Sequence, residues 1–232
     1  GIVADLLPLG PAAVEYMDSQ SLDLLRESKS RNEDAGAVPE MPKEARAALY
    51  VEFEGEDDAG IEEIFGRLEG LLDRHGVAEE QTWAGFDQAD MDAMKAFRHA
   101  LPERINTIIG ERKRGLPNLT KVGTDMAVPF DALGEMLGTY KKHLKTTSLE
   151  YCVFGHIGNA HLHVNILPRS MEEVETAYSL YRQFAELAVK LGGSVAGEHG
   201  IGRLKKQFMD IQYSTVELLA MATIKRGLDP DG

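Results

Sequence analysis

Cysteine is almost missing from this chain. Cys152 is the only one in 232 residues, so no internal disulfide can form. A reducing compartment is the simplest reading of so little thiol. Long apolar runs are missing too. None approaches the roughly 20 residues that span a bilayer, and no signal peptide is visible. Positive charge is in deficit: 25 Lys and Arg stand against 38 Asp and Glu, a net charge of −13. That balance argues against a general nucleic-acid binder, which normally shows a basic face. Neither H-E-x-x-H nor C-x-x-C occurs, which removes the zinc-protease and zinc-ribbon readings. The chain also lacks a starting Met and stops in 228-LDPDG-232, turn-like residues just after a helical stretch. The expectation is a piece excised from a longer protein.

What is present is ordinary globular material, 43% hydrophobic and 27% charged. The length suits one large domain or two small ones. Acidic runs such as 52-EFEGEDD-58 read as solvated surface. Residues 29–46 are polar and Pro-containing and read as a loop. In 47–55, Leu49, Val51 and Phe53 alternate with Tyr50, Glu52 and Glu54, the period of a strand. A helix follows with a stripe of Ile61, Ile64, Phe65, Leu68, Leu71 and Leu72. Residues from about 90 to 112 also read as helix. The pattern recurs with a strand at 121–129, a helix at 130–144, and a strand pair at 148–157 and 160–168. Two S-x-x-E capping boxes, Ser170 with Glu173 and Ser214 with Glu217, open the last two long helices. The first of these stops at Gly192 and Gly193. The sum predicts an α+β fold: a mostly antiparallel sheet, helices on one face, ferredoxin-like repeats at about 1–115 and 116–232, and the other face free.

That free face draws attention to 155-GHIGNAHLHVN-165, which holds three of the seven histidines. On a strand, Leu162, Val164 and Ile166 share one side, and His161, His163 and Asn165 share the other. A tight turn at Gly158-Asn159 would set His156 across from His161, with His163 one diagonal step away. Three imidazoles and a carboxamide then converge within metal-binding reach. Two histidines need a further carboxylate or thiolate to complete a site for Zn²⁺ or a related ion. Cys152 lies two pleats from His156 and reads as a buried small side chain. The carboxylate candidate is Glu198 in 193-GSVAGEHGIG-202, where four glycines surround a Glu-His pair. The bland alternatives are an exposed polar sheet face and a flexible turn.

These motifs carry a family resemblance. Residues 154–165, FGHIGNAHLHVN, followed by GEHGIG, resemble the C-terminal domain of FAD-linked oxidases and dehydrogenases of the vanillyl-alcohol-oxidase type. That branch includes D-lactate dehydrogenases, the glycolate oxidase flavoprotein subunit and D-2-hydroxyglutarate dehydrogenase. The segments 121-KVGTDMAVP-129 and 224-IKRGLDPDG-232 match in type and order. The resemblance implies a cap domain over 1–232 that supplies much of the substrate pocket. FAD would be held by an N-terminal domain that this chain does not contain, so the piece is expected to be inactive alone. Carried over by motif, His156, His163 and Glu198 are similar to three ligands of a divalent metal, zinc being the expected ion. His199 is similar to the general base. Arg98, Lys121 and Asn165 are similar to substrate-contacting residues. This chain departs from the family at 158-GNAH-161, where many members have Gly-Asp-Gly-Asn. The spacing from Lys121 to Asp125 also differs.

The implied activity is oxidation of a small D-2-hydroxy acid of the lactate, glycolate or 2-hydroxyglutarate class to its 2-oxo acid. The implied partners are the FAD domain of the same protein and an electron acceptor, either a protein or a quinone. A homodimer is an admissible assembly. The expected location is the cytoplasm, free or peripheral to the inner membrane face. Two rival classes stay open on the residues alone. One is a stand-alone ferredoxin-like module that binds a small acid or a metal without catalysis. The other is a metal hydrolase using the same His/His/Glu set.

Overall fold

The computed structural model describes residues 1–231 apart from Asp34, Ala35 and Glu56. Asp34 and Ala35 fall in the predicted loop and Glu56 in the acidic run; these and Gly232 lie outside the described residues. In chain order the elements are α1 (Ile2–Leu6), β1 (Ala13–Asp18), α2 (Ser19–Ser30), β2 (Ala47–Glu52), α3 (Asp58–Arg74), α4 (Gln88–Lys113), β3 (Val122–Gly123), α5 (Leu133–Lys145), β4 (Tyr151–His156), β5 (His161–Ile166), α6 (Met171–Lys190), α7 (Met209–Gln212) and α8 (Thr215–Leu228). The strands form one antiparallel sheet in the order β2-β1-β4-β5-β3. The class is α+β.

Local chemistry sets the helix starts. Asp18 ends β1 and caps α2, accepting from the Ser21 backbone N–H at 2.8 Å. Ser214 and Glu217 form the reciprocal capping box of α8. Ser170 caps α6, while Glu173 turns back to the Arg169 N–H at 2.7 Å. Gly192, at φ +83°, takes the left-handed conformation just past α6.

Helices cover both faces of the sheet, which corrects the expectation of helices on one face and a free second face. On one side Val14, Val153, Leu162, Val164 and Ile166 pack against α5 and α6. Tyr140 and Phe184 meet edge-on there at 4.8 Å between ring centroids. Truncating Phe184 would cost about 3–5 kcal/mol. On the other side Met17, Cys152 and Leu167 pack against Leu22 and Leu25 of α2 and Phe97, Leu101 and Ile105 of α4. The histidine side of β5 lies on this second side, where His161, His163 and Asn165 are buried rather than exposed.

Two strand readings also change. The predicted strand 121–129 pairs only through Val122 and Gly123, with an isolated bridge at Ala127. The Gly158-Asn159 turn is a 3₁₀ turn over Ile157–Asn159, closed by Ala160 at φ +50°. The wider turn keeps the register that matters: His156 stands directly opposite His161. Along the exposed side of α8, Val216, Leu219, Ile224 and Leu228 face solvent. No described helix is long and apolar enough to cross a membrane.

Candidate functional site: a histidine–carboxylate cluster

Five segments meet at the end of the second sheet face. β4 and β5 bring His156, His161 and His163 together by direct pairing. The glycine-rich segment after α6 lays Glu198 and His199 over them. β1 contributes Glu15, and α4 contributes Arg98. Inside α4, Pro102 has no N–H to offer the Arg98 carbonyl one turn back.

One carboxylate oxygen is the hub. Glu198 Oε1 lies 3.1 Å from His156 Nε2, 3.3 Å from His163 Nε2 and 3.3 Å from His199 Nε2. The far nitrogens are already spoken for. His163 Nδ1 lies 3.0 Å from the Thr124 carbonyl oxygen, which can only accept. Nδ1 therefore carries the proton, and Nε2 turns a lone pair toward Glu198. His156 Nδ1 lies 2.8 Å from Glu15 Oε1. The rings of His163 and His199 stack at 5.0 Å with 12° between planes.

A second carboxylate, Asp125, anchors the segment from below. It is fully buried and pairs with Lys205, itself 7% exposed. It accepts from the backbone N–H of Glu198 at 3.3 Å and of His199 at 3.2 Å. His161 Nε2 lies 2.9 Å from the same group, and the Asp125 carbonyl accepts from Gly197 N–H at 2.6 Å. His199 Nδ1 is 3.4 Å away. Gly197 must be glycine here, because a Cβ would sit 2.6 Å from His161 Nε2. His161, the imidazole that departs from the family pattern, is thus tied to Asp125 and lies against Gly197.

Electrostatics follow this geometry. Burial is the largest influence on Glu198 and raises its pKa, but His156, His161 and His163 together outweigh it and leave the carboxyl below its usual value. Asp125 behaves likewise, with Lys205 the main opposing group. The hydrogen bond to Glu15 raises His156 despite partial burial. Burial lowers His163, helped by His161 and His199, which keeps that ring neutral near pH 7. Three carboxylates (Glu15, Asp125, Glu198) and two fixed cations (Arg98, Lys205) leave one uncompensated negative charge when the imidazoles are neutral, a balance suited to a cation.

The donor set fits a divalent metal. His156, His161, His163 and Glu198 each offer one ligand atom, all within 4.8 Å of one another. Ligands about 2.1 Å from a tetrahedral ion stand roughly 3.4 Å apart, close to the 3.1 and 3.3 Å separations from Glu198 to His156 and His163. A cleft of about 410 Å³, lined by Ala127, His156, Asn159, His161, Gly197 and Glu198, opens beside the cluster. That volume suits a small ligand.

The remaining predicted residues are placed less uniformly. His199 is 59% exposed at its side chain and lies at the cluster. Arg98 reaches the site edge, but its guanidinium is paired with Glu15 and lies over the Tyr50 ring at 5.7 Å. Asn165 is 5% exposed, and its carboxamide makes no hydrogen bond among the described residues. Lys121, just before β3, is half-buried. Burial lowers its pKa, and its ammonium has no ion pair among the described residues. The sequence reading does not single out Glu15, Thr124 or Lys205, and it uses Asp125 only to measure spacing. The available signal is an acid inside an otherwise apolar alternation, in 13-AVEYMD-18 and 122-VGTDMAV-128.

Comparison with known proteins identifies the family. The family model described as "FAD linked oxidases, C-terminal domain" matches residues 5–232. The chain is 25% identical over 228 residues to the glycolate oxidase subunit GlcD of Bacillus subtilis, covering 95% of this chain and 43% of that protein. It is 27% identical over 239 residues to glycolate oxidase subunit GlcD of Escherichia coli, covering 99% and 43%. It is 22% identical over 218 residues to the mitochondrial D-lactate dehydrogenase [cytochrome] of Kluyveromyces lactis, covering 94% and 36%. The chain therefore spans less than half the length of each of these relatives.

Proposed function

This chain belongs to the FAD linked oxidase C-terminal domain family, and from that premise we propose that it is the cap and substrate domain of a flavin-dependent dehydrogenase. The reaction is oxidation of a D-2-hydroxy acid of the lactate, glycolate or 2-hydroxyglutarate class to its 2-oxo acid. The observation that carries the reading is the single Glu198 oxygen facing three imidazole Nε2 atoms at 3.1–3.3 Å. That arrangement offers a divalent-cation site with a solvent-accessible base beside it.

No FAD-binding motif occurs in the 232 residues. FAD would sit in an N-terminal domain of the same protein, outside this chain, and supply the hydride acceptor. A divalent ion, zinc being our first choice, would supply the charge that lowers the hydroxyl pKa of the substrate. His156, His163 and Glu198 would hold that ion. The chain's own residues then handle the proton and the orientation. His199 Nε2 takes the hydroxyl proton, a general-base role for which imidazole is the commonest side chain. Asp125, at Nδ1 of the same ring, orients it, as a base needs. Asn165 presents an unpaired carboxamide to the substrate. Lys121 and Arg98 are the cations for its carboxylate, and Arg98 must exchange Glu15 for that role. Electrons leave the reduced enzyme to a protein or quinone acceptor, and the working location is the cytoplasm or the inner face of a membrane.

The test uses the full-length flavoprotein with D-lactate, glycolate and D-2-hydroxyglutarate as substrates. His199→Ala should lower flavin reduction by about 10²–10⁴-fold with flavin content unchanged. Unaltered reduction refutes the base assignment. Elemental analysis should find about one divalent ion per chain, lost in His163→Ala; full activity without metal refutes the cation site.

A further inference from the structure

Glu15 has an unusual set of partners. It is 6% exposed on β1, a strand flanked by β2 and β4. A buried carboxylate of this kind costs free energy unless it is fully paired. Its Oε1 receives His156 Nδ1–H at 2.8 Å and Arg98 Nη2–H. Those two residues are the proposed metal ligand and the proposed substrate anchor. Across the sheet Tyr50 stands opposite Glu15 in register and carries the Arg98 guanidinium over its ring. So one oxygen joins two residues of distinct proposed function, and Glu15 has no other side-chain hydrogen bond among the described residues.

The imidazole has two nitrogens, and the proton sits where an acceptor holds it. With Glu15 at Nδ1, His156 presents Nε2 toward Glu198. Metal-bound histidines commonly have a carboxylate behind them for this reason. Without that acceptor the ring is free to rotate or to place its proton on Nε2, and either change removes a ligand. The Arg98 pairing adds a second role. Paired with Glu15, the guanidinium is neutralised and held, which spares it an unpaired state until a carboxylate arrives.

We propose that Glu15 is a positioning residue: it orients His156 as a metal ligand and holds Arg98 in reserve for the substrate carboxylate. The inference rests on the metal reading given above. It predicts a separation of effects. Removing Glu15 should weaken metal retention and kcat, yet it should not raise KM, since the competitor for Arg98 is gone. Removing Arg98 should raise KM and leave metal retention intact.

The experiment uses the full-length flavoprotein with Zn²⁺ as the probe, titrated against a competing chelator, alongside kcat, KM and flavin content. Glu15→Leu should weaken Zn²⁺ retention by roughly 10–100-fold. Glu15→Gln keeps an oxygen acceptor at Nδ1 and should recover much of that loss. Arg98→Met should hold Zn²⁺ as the wild type does, with a raised KM. If Glu15→Leu does not fold, the comparison of Glu15→Gln with Arg98→Met decides. Glu15→Gln should then show some Zn²⁺ loss and no rise in KM. Wild-type retention in both Glu15 variants overturns the inference alone. So does equal Zn²⁺ loss in Arg98→Met, which would mark the trio as a structural ion pair. A wild-type protein that binds no divalent metal overturns the metal reading and this inference with it.

Discussion

Replacing Lys205 with Met isolates the electrostatic part of the anchor beneath Glu198 and His199. Met keeps most of the unbranched stem, so packing changes little and the ammonium is what disappears. The partner left behind is Asp125, which is fully buried. Breaking a buried pair from one side costs about 3–5 kcal/mol, because the remaining charge is uncompensated. Asp125 retains three other donors within 3.3 Å: His161 Nε2 and the backbone N–H groups of Glu198 and His199. They place the expected cost at the lower end, about 3 kcal/mol. At about 2–4 °C per kcal/mol for a chain of this size, the melting temperature should fall by roughly 6–12 °C. Urea denaturation followed by far-UV circular dichroism measures it directly. The double variant Asp125→Asn/Lys205→Met removes the orphaned charge and should recover part of the loss. A single-variant cost under about 1 kcal/mol, or a double variant no better than the single, would refute the buried-charge reasoning.

Three further outcomes are expected. Gly197→Ala puts a methyl group 2.6 Å from His161 Nε2, and that ring is pinned by Asp125, so the variant should lose about 1–3 kcal/mol along with Zn²⁺ retention. Wild-type values for both would show that His161 moves freely. Asp18→Asn keeps the cap on α2 and removes a carboxyl whose pKa burial has raised, against the opposing hydrogen bonds from Ser21. The folded state binds that proton more tightly than the unfolded state. Wild-type stability is therefore lost as pH rises from the unfolded carboxyl pKa of ~3.9 through the raised folded value. Asp18→Asn should be at least as stable as wild type at pH 7, with the gap closing below pH 4; pH-resolved urea titrations decide. Leu162→Ala empties space beneath the histidine strand, where Leu162 is 2% exposed, and should cost about 2–5 kcal/mol. A loss below 1 kcal/mol would mean the strand repacks around the gap.

The legible parts of the fold were those whose signal is local. Capping at Ser170 and Ser214 and the stripes of α3 and α6 depend on residues within a few positions of one another. The alternation in 161–166 likewise assigned each side chain of β5 to the correct face. It could not say what covers that face. His161 and His163 look like solvent-facing residues, yet they are buried because Asp125 and the Thr124 carbonyl satisfy them. β1 carries little strand signal for a related reason: Glu15 and Asp18 interrupt the apolar pattern expected of a strand inside a sheet, and Glu15 finds its partners Arg98 and His156 far along the chain. The strand expected at 121–129 ends early because the Val164 N–H bonds the Thr124 hydroxyl in place of its carbonyl, and Asp125 turns to His161 and Lys205. In the candidate site, the residues grouped by motif do come together, while the carboxylate and lysine behind them carry no motif.

The sheet order also bears on how the molecule is assembled in time. β1 is among the first elements in the chain, yet Glu15 meets His156 across 141 residues, and Asp125 meets Lys205 across 80. Contacts this distant form only after long loops have closed, so they arrive late in folding and slow it. No partly folded intermediate that lacks the β1–β4 pairing can present the whole cluster. On the proposed metal reading, full metal affinity should therefore trail the gain of helical signal during refolding and report the last ordered step.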